Sequence, residues 1–338
     1  MWKAAVLGLG KIGLMYDFEP GRSSPASHTL AYHLDKDFSL VMGADPELQR
    51  EADLREVAPE AAYYTEAREG LCRTQPDVIS ICTPPRLHLS QIRDIFETVR
   101  QPRLIFCEKP LAADRAEARV VRDLCAKHPQ TVVVPNISRR WSTGLHKVTE
   151  ALQSGEYGRL QKIHVRYTRG IYNTGAHLFD LLHMWTGRKI KTVQVLKNVP
   201  TSSDMENEPS YTFFFEQEDG AYGYVEAVDD RQYYLFEIDL YGSRGKIEMR
   251  CSGDEVRYYR TASHHLFAGF EELQMVREER HLLSESLLGR AVRNLAGVLA
   301  GGEQPACKID DAIYPLYVAE ALERSYANGS EEKVDDDE

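Results

Sequence analysis

A chain of 338 residues is long enough for two domains, and 43% hydrophobic with 28% charged residues is the composition of an ordinary folded protein, not a disordered one. A formal net charge of −11 argues against a basic surface for nucleic acid or an anionic membrane, although Glu331 to Glu338, with six acids and one lysine, leave the body of the chain only mildly acidic. No apolar run approaches twenty residues and no basic, cleavable leader opens the chain, so a cytoplasmic protein with neither membrane nor nucleic-acid partners is expected.

The first predicted element is a strand in "KAAVLGLG" (3–10), which runs into Gly8, Gly10 and Gly13 and then "KIGLMY", a stretch able to start a helix. A polar Pro/Gly/Ser-rich insertion follows at 18–29, with no evident role. Apolar strands at 38–45, 77–85, 103–110 and 131–136 come next, with amphipathic helices at 88–100 and 115–129. Continuously apolar strands separated by helical patterns predict a doubly wound parallel sheet, the Rossmann architecture, over 1–135. Beyond Asn136 the strands alternate apolar and polar residues and are broken by turns such as Glu218-Asp219-Gly220. That pattern predicts an α+β domain over 136–330, built on a large, mostly antiparallel open sheet, with late helices at 284–300 and 310–327 and an acidic tail at 331–338. Six cysteines without C-x-x-C spacing read as reduced and structural.

Glycines between a strand and a helix can hold an anion, because they expose backbone N–H groups and remove the side chains that would keep a pyrophosphate away. Gly8, Gly10, Lys11, Ile12 and Gly13 are therefore candidate cofactor residues, with a packed turn that binds nothing as the alternative. Asp45 ends the second strand, where a carboxylate reads the ribose diol; the insertion explains its long interval from Gly8. Pro46 and Glu47 follow it instead of an arginine, which favours NAD over NADP. The ends of the next two strands carry Thr83, Pro84 and His88 in "CTPPRLH" and Glu108 and Lys109 in "CEKP". In an open α/β sheet, ligands lie at the carboxyl ends of the strands, so these are cofactor candidates too. A lysine there can exchange a proton with a reacting oxygen.

"GLGKIG", "TPPRLH", "EKPLA", "SRRW", "NTGAHLFDLLHMWTG", "IDLYGSRGKIEM" and the closing "GGEQPACKIDDAIYPLYVAEALERS" occur in that order along the chain. Together they resemble the Gfo/Idh/MocA family, named for glucose-fructose oxidoreductase, inositol dehydrogenase and a rhizopine-catabolism protein. The resemblance implies an NAD(P)-dependent dehydrogenase or reductase acting on a secondary hydroxyl or keto group of a sugar, cyclitol or nucleotide-linked sugar. It also implies that Lys109 holds the reacting oxygen, that His177 exchanges the proton, and that Arg139, Arg140 and Trp141 line the substrate pocket. Asp180 is a further substrate candidate. One departure stands out: many members carry Asp four residues before the histidine, and this chain has Asn173. An asparagine can orient the ring but adds no charge, so whether Lys109 or His177 is the base stays open.

No metal site is expected, since His177 and His183 would sit about 240° apart on a helix. Arg139, Arg140, Arg166 and Arg169 form either an anion pocket or a solvated ion-pair cluster. The tyrosine-rich strands suggest a homodimer or homotetramer. Two alternatives to the dehydrogenase are an NAD-retaining glycoside hydrolase or lyase that works by transient oxidation, and a non-catalytic sensor of nucleotide or sugar.

Overall fold

Strands buried on both faces must be continuously apolar, and the first half of the chain supplies them where the sequence places them. The computed structural model of the protein describes residues 1–200 and 208–335. Its first sheet has six strands: β1 (Trp2–Leu7), β2 (Phe38–Ala44), β3 (Ala62–Tyr64), β4 (Val78–Ile81), β5 (Leu104–Glu108) and β6 (Val132–Asn136). All are parallel, in the order β3-β2-β1-β4-β5-β6, so the winding reverses between β1 and β4. Helices α1 (His28–Leu34), α2 (Arg50–Val57), α3 (Ala67–Thr74), α4 (His88–Thr98) and α5 (Arg115–Ala126) make the crossovers. Val6, Leu7, Ile79, Ile81, Ile105 and Phe106 are fully buried.

Helix α6 (Thr143–Gln153), strand β7 (Leu160–Tyr167) and helix α7 (Gly175–Thr186) open the second half. Seven more strands follow: β8 (Ile190–Val199), β9 (Ser210–Gln217), β10 (Tyr222–Ala227), β11 (Phe236–Gly242), β12 (Gly245–Arg250), β13 (Glu255–Ser263) and β14 (Glu271–Glu279). Helices α8 (Leu287–Leu299) and α9 (Ile309–Asn328) and the short β15 (Glu332–Lys333) end the chain. The second sheet runs β14-β13-β12-β11-β7-β10-β9-β8-β15, antiparallel except where β7 meets β10. Period-2 alternation sends Ile163, Val165 and Tyr167 of β7 into the core with Phe179, Leu182 and Trp185 of α7. Lys162, His164 and Arg166 take the other face. The start of the acidic tail is tied to the sheet, with Glu332 opposite Val193 and Lys333 opposite Thr192; residues 336–338 of the tail lie outside the described residues.

The chain divides into two compact units, Met1–Trp141 with Glu285–Ile313, and the described residues of Ser142–Ser284 with those from Tyr314 on. Thus α8, which the sequence assigns to the second domain, belongs to the first unit. Its N-cap Ser286 accepts from Gly289 N at 2.9 Å and donates to the Pro25 carbonyl, anchoring α8 on the 18–29 insertion. Among the described residues, no helix is long and apolar enough to cross a membrane.

Candidate active site

At the end of β1 the chain turns at Gly8, whose φ of +87° suits glycine and few other residues. A Cβ on Gly8 would stand 2.9 Å from the Thr83 backbone nitrogen, and one on Gly13 would stand 1.9 Å from the Gly8 oxygen. The turn thus closes on itself and on the end of β4. Gly10 is different, for a Cβ there meets nothing within 4 Å. Leu14 N is the first to bond back, to Gly10 O at 2.9 Å. The N–H groups of Gly10, Lys11, Ile12 and Gly13 precede it, as first-turn donors that a helix leaves for a ligand.

The helix expected directly after the glycines is only a short turn running into a 3₁₀ segment, Met15–Phe18. The insertion separates it from α1, whose first donors are already used: His28 N bonds to Ile12 O and Thr29 N to Gly13 O, both at 3.0 Å. The glycine turn itself, and not the start of α1, carries the donors available to an anion.

The Asp45 carboxylate lies against this turn, accepting from Leu9 N at 2.8 Å and from Glu47 N at 2.9 Å. Each oxygen keeps a lone pair for a hydroxyl. The nearby Arg50 is held by Glu47 and Asp53, both at 3.1 Å. Thr83 donates from Oγ1 to Gln91 Oε1 at 2.6 Å, beside Pro84. His88 is fully buried, with Nε2 2.8 Å from the Thr83 carbonyl and Nδ1 3.4 Å from Cys107 Sγ. Nδ1 also lies 3.3 Å from the Leu111 carbonyl, and burial pushes the Cys107 thiol well up, so it stays S–H. The ring therefore braces the loop that carries Thr83. Glu108 accepts from His28 and Asn136 at the end of β5, and Lys109 follows it, half-buried.

In the second unit, a wide turn at Gly170–Thr174 leads into α7. Glu208 Oε1 accepts from Tyr172 N at 2.6 Å and Asn173 N at 2.8 Å. Gly170 (φ +72°) leaves the space this carboxylate occupies, since a Cβ there would come 2.0 Å from Glu208 Cγ. Burial, then the carboxylates of Glu323, Glu320 and Glu208, push the Tyr172 phenol upward. His177 is half-buried in the first turn of α7 and Asp180 is fully buried one turn on. His183 lies at the other end, its ring 5.1 Å from that of Tyr314.

The arginines divide between the two compact units. Arg140 is buried in the first unit, 3.0 Å from Asp311 and 3.2 Å from the Ala306 carbonyl, beside Trp141, whose ring meets Phe106 edge-on. Arg139 shares the same 3₁₀ turn, Ser138–Trp141. Arg166 belongs to the second unit, where Asp239 at 3.1 Å and Glu237 at 3.3 Å hold it on the outer sheet face. One His/acid cluster stands apart from these residues: His264, His265 and Glu272 at the β13–β14 hairpin. His264 Nδ1 accepts from Leu266 N and Phe267 N, which leaves its proton on Nε2, the atom facing Glu272. That is the arrangement of a histidine–carboxylate pair, not of a metal-ligating imidazole. Sequence reasoning missed His28 and Glu208. Glu208 lies 35 residues from Asn173 with no local signal, and His28 was hidden in the insertion.

Residues 2–136 match the family model described as "Oxidoreductase family, NAD-binding Rossmann fold". Inositol 2-dehydrogenase of Salmonella typhimurium is 24% identical over 259 residues, covering 73% of each chain. D-glucoside 3-dehydrogenase of Escherichia coli is 25% identical over 155 residues, 46% of this chain and 42% of its own. Among solved structures, an Agrobacterium radiobacter oxidoreductase in complex with NAD+, L-tartaric acid and magnesium has the same fold, with a TM-score of 0.76 at 15% identity over 98% of each chain. So does the transcriptional regulator Gal80p of Kluyveromyces lactis, with a TM-score of 0.80 at 15% identity over 98% of this chain and 91% of its own. Residues 2–136 are thus similar to the NAD-binding Rossmann domain of the Gfo/Idh/MocA oxidoreductases, and the chain as a whole shares its fold with solved oxidoreductases.

Proposed function

We propose that the protein is a cytoplasmic NAD-dependent dehydrogenase that oxidises a secondary hydroxyl of a cyclitol or sugar, or runs the reverse reduction. The observation that carries this reading is the glycine turn: closed by Gly8 and Gly13, open over Gly10, and flanked by a carboxylate at the end of β2. Bound NAD supplies the hydride acceptor. Gly10 to Gly13 offer N–H donors to its pyrophosphate, and Asp45 accepts from the ribose diol. An adenosine 2'-phosphate would meet Asp45 and Glu47 with Arg50 already engaged, which supports NAD over NADP. Lys109 binds the reacting oxygen, and either it or His177 takes the hydroxyl proton. Glu208 supplies a carboxylate to the turn that carries Asn173, where many relatives have an aspartate in the chain itself.

The cyclitol and glucoside dehydrogenases among the relatives support the substrate class, and neither is a hydrolase, lyase or sensor. The outer sheet face supports self-association. Lys162, His164, Leu196, Phe214, Tyr222, Tyr224 and Tyr241 line a hollow of about 440 Å³ on it, in which Phe214 is 46% and Tyr222 53% exposed. A second copy packed on this face would make a homodimer or homotetramer, and light scattering with a Phe214→Glu variant tests it.

The decisive experiment titrates the protein with NAD and NADP by calorimetry and then follows NADH formation with myo-inositol and methyl glucosides. Tighter binding of NAD and NADH formation support the reading. Binding of neither nucleotide overturns it. NAD binding without any oxidation across the sugar panel would favour a non-catalytic sensor, a role for which Gal80p, a regulator, shares the fold.

A further inference from the structure

The insertion at 18–29 runs through Ser27, the N-cap of α1, into the first residues of that helix and buries His28 there. His28 is fully buried, with Nδ1 2.8 Å from Ser80 Oγ on β4 and Nε2 2.9 Å from Glu108 Oε1 at the end of β5. Tyr32, one turn along α1 and also fully buried, has its phenol oxygen 2.9 Å from the same Ser80 Oγ. Asn136, ending β6, donates from Nδ2 to Glu108 Oε1 at 2.5 Å. A continuous row, Tyr32, Ser80, His28, Glu108, Asn136, thus joins α1 to three neighbouring strands.

The protons fix its direction. Burial pushes the Tyr32 phenol up, so it stays protonated, and with the Ser80 proton committed to His28 its O–H donates to Ser80 Oγ. Ser80 then gives its own proton to His28 Nδ1, and His28 Nε2–H donates to Glu108. The other tautomer would turn a bare Nε2 lone pair on the Glu108 carboxylate, which can only accept. A serine, a histidine and a carboxylate in sequence resemble a nucleophile relay, but Ser80 is 0% exposed, so no substrate reaches it. The row therefore ends in a held carboxylate.

We infer that His28 is a positioning residue: by holding Glu108 at the end of β5 it fixes the backbone that presents Lys109. The functional consequence rests on the dehydrogenase reading above, but the geometric claim does not. His28→Asn and His28→Gln separate the two ends of the ring. Asparagine places its amide near Nδ1 and reaches Ser80 alone, whereas glutamine places an N–H donor near Nε2 and can still hold Glu108.

Lysines are reductively methylated with a ¹³C label, and the Lys109 signal is assigned by its loss in Lys109→Arg. The expected result is one Lys109 signal in the wild type, the same signal in His28→Gln, and a shifted or split signal in His28→Asn. With NAD and myo-inositol, kcat of His28→Asn should fall on the order of tenfold to a hundredfold, with His28→Gln recovering most of the loss. An unchanged Lys109 signal in His28→Asn overturns the inference. So does an equal disturbance in the two variants, which would mark the histidine as mere filling. If His28→Asn fails to fold, Glu108→Ala removes the group that His28 holds; a native Lys109 signal there also overturns the inference. Titrating the same wild-type sample with NAD tests the dehydrogenase reading separately.

Discussion

Around Gly8–Gly13 the chain makes its candidate site from backbone, whereas around Gly170–His177 it positions one with a carboxylate 35 residues away in sequence. In the first region three glycines do different work: Gly8 adopts a positive φ, Gly13 lets the turn close on Gly8, and Gly10 faces open space. In the second, Gly170 serves mainly to make room for Glu208. A site made from backbone is sensitive to atoms added to it. One made around a side chain is sensitive to atoms removed. Substitutions of opposite kind should therefore damage the two regions, and by different readouts.

The largest effect is expected at Lys109. Lys109→Ala should lower turnover by about 10²- to 10⁴-fold, the usual contribution of a positioned proton-transfer group, while NAD affinity measured by calorimetry stays within a few-fold. Retained turnover would take the lysine out of the mechanism and move the base to His177. Next comes Gly13→Ala, whose Cβ would lie 1.9 Å from backbone that cannot yield. It should abolish NAD binding and destabilise the first unit by about 1–3 kcal/mol, seen as a fall in Tm. Gly10→Ala sharpens the contrast, since its Cβ meets no protein atom. Unchanged Tm with weakened NAD binding is expected there, and a Gly10→Ala protein that binds NAD normally would mean that the space over Gly10 is not where the phosphates lie. Asp45→Asn should weaken NAD binding by about tenfold and narrow the preference over NADP; an unchanged ratio would remove Asp45 as the ribose reader.

The same contrast explains what the sequence could and could not reveal. That the glycine turn, Asp45 and the E-K-P lysine follow the ends of strands was legible, because strand position is a local property of the apolar pattern. β3 was missed because three residues are too few for a pattern. α8 was found as a helix, but its membership of the first unit depends on Ser286 meeting Pro25, 261 residues away in sequence. The start of α1 was misplaced because an insertion entered between turn and helix, and the chain restored their contact through the bonds of His28 and Thr29 to Ile12 and Gly13. His28 meets Ser80 and Glu108 across 52 and 80 residues, and Arg140 finds Asp311. Such pairings follow from the folded topology and leave no periodic trace.

The smallest effect tests the second region on its own terms. Glu208→Ala leaves the Tyr172 and Asn173 N–H groups without their acceptor in a partly buried turn, a loss of about 1–3 kcal/mol. Glu208→Gln keeps an oxygen that can accept from both and removes only the charge. The alanine variant should therefore lower Tm by several degrees and the glutamine variant by less, with NAD affinity unchanged in both, since the glycine turn belongs to the other compact unit. Equal falls in Tm would mean that the charge, and not the hydrogen bonds, holds the turn. A loss of NAD affinity in either variant would show that the two regions are not independent, and the division between a backbone-built cofactor site and a carboxylate-held helix start would have to be given up.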